Sequence, residues 1–346
     1  MKSSQKFWTC IFCSGAMLAM IIDAKTALAG GQEGLRMCLY TVIPTLFPFF
    51  LLSGIINSII AGSDATIFRP LGKIVRIPKG SESIFLLGLL GGYPVGAKSI
   101  QQAYRDGRIS KCDAERMLGF CNNAGPGFIL GLVASLFPKP YMAWLLWIIH
   151  IVAAIIAGAC VPGSGKSHST FRDNRTVSIH QSLEDSLKTT ALVCGWIILF
   201  RILIAFIRRC FLWLLPDALQ VLLIGLLELS NGCFELDCIA ELGLRFIVAS
   251  ALLAAGGTCI TMQVIAVTKG LKLKYYLRGK IVQTLLSVVL SSVIQLVIFP
   301  INYRFQMPFM IWVGLLLSPF ALIIFAKRQN TVAIPQKVLY NTVNYQ

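Results

Sequence analysis

The chain has 346 residues, of which 56% are hydrophobic and 13% charged, where an ordinary globular domain carries about 25% charged residues. With a mean hydropathy of +0.74 and apolar runs that repeatedly approach the roughly 20 residues of a membrane crossing, it reads as one polytopic helical bundle, not as two soluble domains. The net charge of +16 would suggest nucleic acid in a soluble protein. Here the Lys and Arg residues lie between apolar runs, where they act as cytoplasmic-loop orientation signals. The expected partner is the lipid bilayer, and no nucleic acid is expected.

Residues 1–29 carry Lys2 and Lys6, an apolar run over 7–22, then Asp23, Lys25 and Ala27-Leu28-Ala29. The last three have the A-x-A form of a signal-peptidase site. Charges between the apolar run and that site favour a retained N-terminal transmembrane helix, an uncleaved signal anchor. Residues 34–60 are apolar but hold Pro44, Pro48 and Ser53-Gly54, which suits either a span or a re-entrant hairpin. The loop over 62–83, with Arg69, Lys73, Arg76 and Lys79, looks cytoplasmic.

The stretch over 88–131 is the expected functional centre. An apolar half-crossing over 84–90 is interrupted by Gly91-Gly92-Tyr93-Pro94, and a second interruption follows at Asn122-Asn123-Ala124-Gly125-Pro126-Gly127. Glycine and proline release a helix from its hydrogen-bond ladder. In a bilayer, unwound backbone survives only where it is buried in protein or lines a polar cavity, so paired interruptions point to a transporter's solute site. Between them, residues 105–116 read as a basic connector. A span over 118–137, a turn at Pro138-Lys139-Pro140 and a span over 141–161 follow.

Residues 162–186 form a hydrophilic cytoplasmic loop that divides the chain. Its Gly163–Ser167 segment, GSGKS, resembles the end of a phosphate loop. The first glycine of that motif would fall at Cys160, and no βαβ pattern surrounds it, so nucleotide binding is not expected. Asn174-Arg175-Thr176 is a formal glycosylation sequon without meaning in a cytoplasmic loop. The second half begins with an apolar run over 187–215 that carries Arg201, Arg208 and Arg209. Residues 217–240 then suit a helical hairpin with its tip at Ser230, Asn231 and Gly232. A run over 245–268 is broken at Gly256-Gly257-Thr258, and a basic connector with Lys269, Lys272, Lys274, Arg278 and Lys280 follows. Spans over 281–299 and 309–326 complete this half, and 327–346 read as a cytoplasmic tail. About eight transmembrane helices result.

Two copies of one pattern emerge, an apolar run, Gly-Gly, a half-helix and a basic connector at 84–116 and again at 249–280. The halves 34–161 and 187–326 thus read as structural repeats. Transporter repeats are often inverted, whereas two cytoplasmic connectors would make these parallel.

Among single residues, Glu228 in an apolar frame is the sharpest candidate, because a carboxylate inside a span usually marks a proton or ion path. It must face a polar cavity or be neutral. The alternative is an interfacial Glu. Gly91, Gly92, Tyr93 and Pro94 offer free backbone groups, or else tight helix packing. Lys98, one turn later, is either a functional intramembrane cation or a side chain that snorkels to the interface. Asn122, Asn123 and Gly125 offer amide and backbone groups, or cap a helix start. Ser230, Asn231, Gly232, Gly257 and Thr258 complete the expected solute site, and Arg201 is expected to pair with Glu228 or another acid. The 11 cysteines lie mostly within apolar runs and the histidines number 3, so neither a disulfide framework, a metal nor a cofactor is expected. No catalytic motif is present, and no enzyme is expected.

At 34–54, at GLLGGYPVGAK (88–98), at AER (114–116), at FCNNAGPGFILG (120–131) and at LLELSNG (226–232), the sequence resembles the YlbJ-type sporulation integral membrane proteins. These lie within the nucleoside-recognition, or Gate-domain, group related to concentrative nucleoside transporters. The resemblance covers most of 20–325 and implies two Gate-like repeats with hairpins and broken helices around a midplane site. It further implies a role in moving dipicolinic acid across the outer forespore membrane of spore formers. The sequence departs from the pattern at Ser53-Gly54, where many relatives have an acid, and in a weak second repeat. The leading expectation is a secondary transporter of a small organic anion, driven by protons, sodium or the solute's own gradient. A nucleoside-like solute is the alternative, as is a membrane scaffold for spore cortex assembly; a homo-oligomer is compatible with each.

Overall fold

A computed structural model describes residues 3–60, 68–161, 179–300, 302 and 304. Among these residues there are no strands. Fifteen α-helices follow one another: α1 (Ser3–Ile22), α2 (Ala24–Met37), α3 (Ile43–Ile60), α4 (Arg69–Ile74), α5 (Glu82–Leu90), α6 (Val95–Arg105), α7 (Lys111–Cys121), α8 (Pro126–Gly131), α9 (Pro140–Cys160), α10 (Ile179–Cys210), α11 (Asp217–Leu227), α12 (Leu229–Phe234), α13 (Leu242–Ala255), α14 (Gly257–Val267) and α15 (Lys274–Ile298). Five stretches are long and apolar enough to cross a membrane, Ala24–Ile56, Pro140–Cys160, Ile179–Cys210, Leu242–Val267 and Lys274–Ile298. The expected last span over 309–326, the tail over 327–346 and the GSGKS segment lie outside the described residues.

Several expected boundaries move, each for a local reason. The first helix ends at Ile22, because Asp23 caps α2 by accepting a hydrogen bond from Thr26 N at 3.2 Å. Ala27-Leu28-Ala29 therefore lie inside α2. The prolines at 44 and 48 do not reverse the chain; helix continues to Ile60. A π-helical turn over Cys38–Val42 precedes them, and such a widened turn gives room where a proline ring would otherwise strike the preceding carbonyl. The hydrophilic loop ends earlier than expected, since α10 already begins at Ile179. The connector over 105–116 contains the start of α7, capped by Ser110, which accepts from Asp113 N at 3.1 Å. Its Arg116 is fully buried and donates to the carbonyls of Val75, at 3.0 Å, and Arg76. The second connector is shorter still: Lys274, Arg278 and Lys280 all belong to α15.

Small residues set the closest helix crossings, as expected where lipid gives no hydrophobic drive and van der Waals contact decides. Gly30 and Gly34 of α2 form a small-xxx-small pair against α10, where a Cβ would lie 3.0 Å from Ile202 Cα and 2.9 Å from Ile198 Cα. Across that seam Arg201 donates to Glu33, and at 2.9 Å it also donates to Glu235, at the end of α12. The acid it pairs with is therefore not Glu228. A second crossing joins α7 to α15, where Gly279 would place a Cβ 2.3 Å from the Gly119 carbonyl oxygen. Around it lies a buried core that includes Met117 and Phe120 of α7, Phe246 and Leu252 of α13 and Tyr276 of α15.

Candidate functional site

Four interruptions meet near the middle of this bundle. The first, residues 91–94, separates α5 from α6. Its Gly92 has φ +73°, and a Cβ there would lie 2.9 Å from Gly125 N. The second, residues 122–125, separates α7 from α8. The two fit together because Gly88 and Gly96 both close on the Cys121 carbonyl, where a Cβ would come within 1.7 and 2.0 Å. Asn122 ties them further by accepting from Ala97 N at 3.3 Å.

Asn123 donates to the Phe120 carbonyl at 2.7 Å and accepts from Gln283 Nε2 at 2.9 Å. Ala124 N donates to His150 Nε2 at 3.1 Å, which assigns the imidazole proton to Nδ1. The amide of Gln283 and the ring of His150 thus hold the second interruption from behind. Neither stood among the expected site residues.

The third interruption is Glu228, extended at φ −143° and ψ 118° between α11 and α12. The chain reverses here, and not at Ser230–Gly232. Gly232 packs on Gly225, where its Cβ would lie 2.2 Å from Gly225 Cα, as two antiparallel arms pivoting on residue 228 require. The buried Glu228 carboxylate accepts from Asn231 N at 2.7 Å and so caps α12. A carboxylate is the strongest available acceptor for such a helix start, but capping leaves it with acceptor capacity to spare. The fourth interruption is Gly256-Gly257, left-handed at φ +74° and +76°, with Gly257 close against the Gly225 carbonyl.

Tyr93 links the first interruption to the fourth. Its hydroxyl donates to the Leu253 carbonyl at 3.0 Å and accepts from Lys280 Nζ at 3.2 Å. The ammonium also donates to Gln283 Oε1 at 2.9 Å and lies 5.1 Å from the Tyr93 ring centre. Lys280 belongs to a buried polar stripe on α15 that includes Tyr276, Gln283, Ser287, Ser291 and Gln295. At 1.5 Å per residue that stripe runs about 28 Å.

The first three interruptions border a cavity of about 50 Å³, with room for a few waters. Its lining is mainly apolar, and the interruptions contribute Gly91, Gly92 and Tyr93, then Ala124 and Gly125, then Glu228, with Ser230 and with Gln263 of α14. Phe49, Phe50 and Phe128 supply much of the apolar remainder. Six expected site residues therefore share one wall: Gly91, Gly92, Tyr93, Gly125, Glu228 and Ser230. Pro94, Asn122, Asn123, Asn231, Gly232 and Gly257 stand behind it as the frame. Asn231 is fully buried, and its side-chain amide makes no hydrogen bond. Thr258 is exposed on α14. Lys98 is away from the cavity, its ammonium donating to Thr189 on α10. Sequence reasoning missed Lys280, Gln283, His150 and Gln263. The signal for the first two was present as the i, i+3, i+7, i+11, i+15 spacing of Lys280, Gln283, Ser287, Ser291 and Gln295, which puts polar residues on one helix face. Among the described residues no group of three or more His, Cys, Asp or Glu side chains is placed to hold a metal.

No family model matches the chain, and no solved structure matches it. Among curated proteins it is similar to the sporulation integral membrane protein YlbJ of Bacillus subtilis (strain 168), with 26% identity over 247 residues. The match covers 63% of this chain and 60% of that protein, so the chain spans less than two thirds of its relative. By its helices this chain is an integral membrane protein, and in sequence it is similar to one associated with sporulation.

Proposed function

We propose that the protein is a secondary transporter that carries a small organic anion across a membrane and takes up a proton at Glu228 as it does so. The observation that carries this reading is the convergence of interrupted helices on a small cavity that includes a carboxylate, inside a bundle of membrane-spanning length. A scaffold has no need of unwound backbone at membrane depth, which is costly unless it serves a polar cavity. A cavity sized for water corresponds to a closed state. The solute enters when α3, with Phe49 and Phe50, moves away from the interruptions. Similarity to a sporulation integral membrane protein supports a membrane role in sporulation; dipicolinate as the solute, the outer forespore membrane as the location and the Gate-like repeat as the architecture are what the motif resemblance at 88–98 and 120–131 implies. The protein acts as a carrier and not as an enzyme.

Purified protein in liposomes with an inward proton gradient tests this. Labelled dipicolinate is expected to accumulate and uridine is not. Glu228→Gln keeps shape and hydrogen bonding but removes the titrating group, so it is expected to retain dipicolinate exchange and to lose gradient-driven accumulation. Uridine uptake would replace the anion by a nucleoside. Uptake of neither solute would leave the scaffold reading, and undiminished accumulation by Glu228→Gln would place coupling elsewhere.

A further inference from the structure

Lys280 is a buried cation in a membrane-spanning helix, at 5% exposure. Such a charge is costly in hydrocarbon and is retained where something uses it. Its hydrogen bonds go to a phenol and an amide, Tyr93 and Gln283. Arg69, Arg108, Lys188, Arg201, Arg208 and Arg209, by contrast, each meet a carboxylate. The ionisable neighbours that bear on Lys280 or pack beside its partners are Cys121 of α7, His150 of α9, Tyr93 and Tyr276. None of these brings a negative charge at neutral pH. Tyr93 joins the ammonium to the cavity: it is one of the cavity's lining residues and binds Lys280 through its ring and hydroxyl.

We infer that Lys280 is the residue that makes this cavity select anions: a small carboxylate-bearing solute arriving beside Tyr93 favours the charged form of this buried amine, and the positive charge so held attracts that solute and gives a neutral one nothing. A dipole of the hydroxyl alone could not do this, because Tyr93 spends its proton on Leu253. The charge must act through space, in a poorly polarisable interior where a unit charge keeps far more of its reach than in water. Gln283 carries the same device one step further. It accepts from Lys280 with its oxygen and donates with its nitrogen to Asn123, so the ammonium is also the anchor for the second interruption. Lys98, whose position beside the first interruption makes it the obvious cation by sequence, is held by α10 and does not line the cavity.

The inference rests on the carrier reading above, and a binding measurement separates the two. Dipicolinate and its neutral isostere pyridine-2,6-dicarboxamide are titrated against detergent-solubilised protein by calorimetry, for the parent, Lys280→Met and Lys280→Arg. The parent is expected to prefer the dianion. Lys280→Met should weaken dipicolinate on the order of tenfold or more and change the diamide less than about threefold, while Lys280→Arg keeps most of the preference. Equal losses for both probes in a folded Lys280→Met protein would overturn the inference by making Lys280 a positioning residue. So would a parent protein that binds neither probe, or binds both alike. Binding with the expected charge preference but no uptake in liposomes would uphold the role of Lys280 and overturn the carrier.

Discussion

The interruptions at 91–94 and at 256–257 look alike in sequence, each a Gly-Gly pair at the end of an apolar run. They do different work. At 256–257 the change of direction rests on two left-handed glycines, and what this segment presents to its neighbour is backbone, the Leu253 carbonyl that receives Tyr93. At 91–94 only Gly92 is left-handed. There the chain supplies a side chain that lines the cavity, reaches across to the other interruption and binds a buried lysine. Glycine permits the interruption; what the interruption is for depends on the groups that other helices bring beside it.

The largest effect expected from this contrast is structural. At Gly96, in the first turn of α6 just past the first interruption, a Cβ would sit 2.0 Å from the Cys121 carbonyl oxygen and 3.0 Å from Asn122 Cα, backbone atoms that cannot turn aside as a side chain could. Gly96→Ala is therefore expected to cost about 3 kcal/mol or more, read as a lowered denaturation midpoint in detergent. At the other interruption, Gly256→Ala would meet the far end of Tyr93, 3.2 Å away. It is expected to cost about 1–2 kcal/mol, mainly for its left-handed backbone. If the two substitutions cost the same, the interruptions are equivalent supports and the contrast fails.

Next comes Tyr93→Phe, which keeps the ring and removes one donor and one acceptor. The Leu253 carbonyl and the Lys280 ammonium each lose a partner in a buried setting, at a combined cost of about 1–3 kcal/mol. The corresponding change at the other interruption has no side chain to remove. A Tyr93→Phe protein as stable as the parent would show that the hydroxyl bridge carries no weight in joining the two segments.

Much of this was legible in the sequence, and the reason is chemical. Gly-Gly, Gly-Pro and Asn-Asn are local statements about backbone, so the interruptions at 91–94, 122–125 and 256–257 were located before any packing was known. Glu228 stood out because a carboxylate among leucines usually marks a proton or ion path, with an interfacial position as the bland alternative. Lys280 did not, because Lys269, Lys272, Lys274 and Arg278 precede it, and a basic cluster reads as one solvated connector. Whether the last member of such a cluster is wet or buried is settled by rotation of α15, and the Gly119–Gly279 crossing sets that rotation by drawing the adjacent residue inward. His150 was hidden for a related reason: a single His within an apolar helix says nothing of which distant backbone N–H it will meet. The chain reversal fell at Glu228 and not two residues later because Gly225 and Gly232 can touch only if the pivot lies midway between them.

The smallest effect is expected at Lys98, and it bears on the contrast between the two lysines nearest the first interruption. Lys98 is half-buried on α6, donates to Thr189 and lies close enough to Asp185 of α10 to feel its charge. Its ammonium is held by a hydroxyl on a helix that also carries an acid, whereas Lys280 faces a phenol, an amide, a thiol and an imidazole. A charge held outside the cavity wall should have little say in which solute binds. Lys98→Ala is expected to loosen the α6–α10 contact by about 0.5–1.5 kcal/mol and to weaken dipicolinate and its diamide equally, by less than about threefold. A loss confined to the dianion and as large as that of Lys280→Met would mean that the carrier turns Lys98 toward the solute in another state. The first interruption would then be served by two cations in turn.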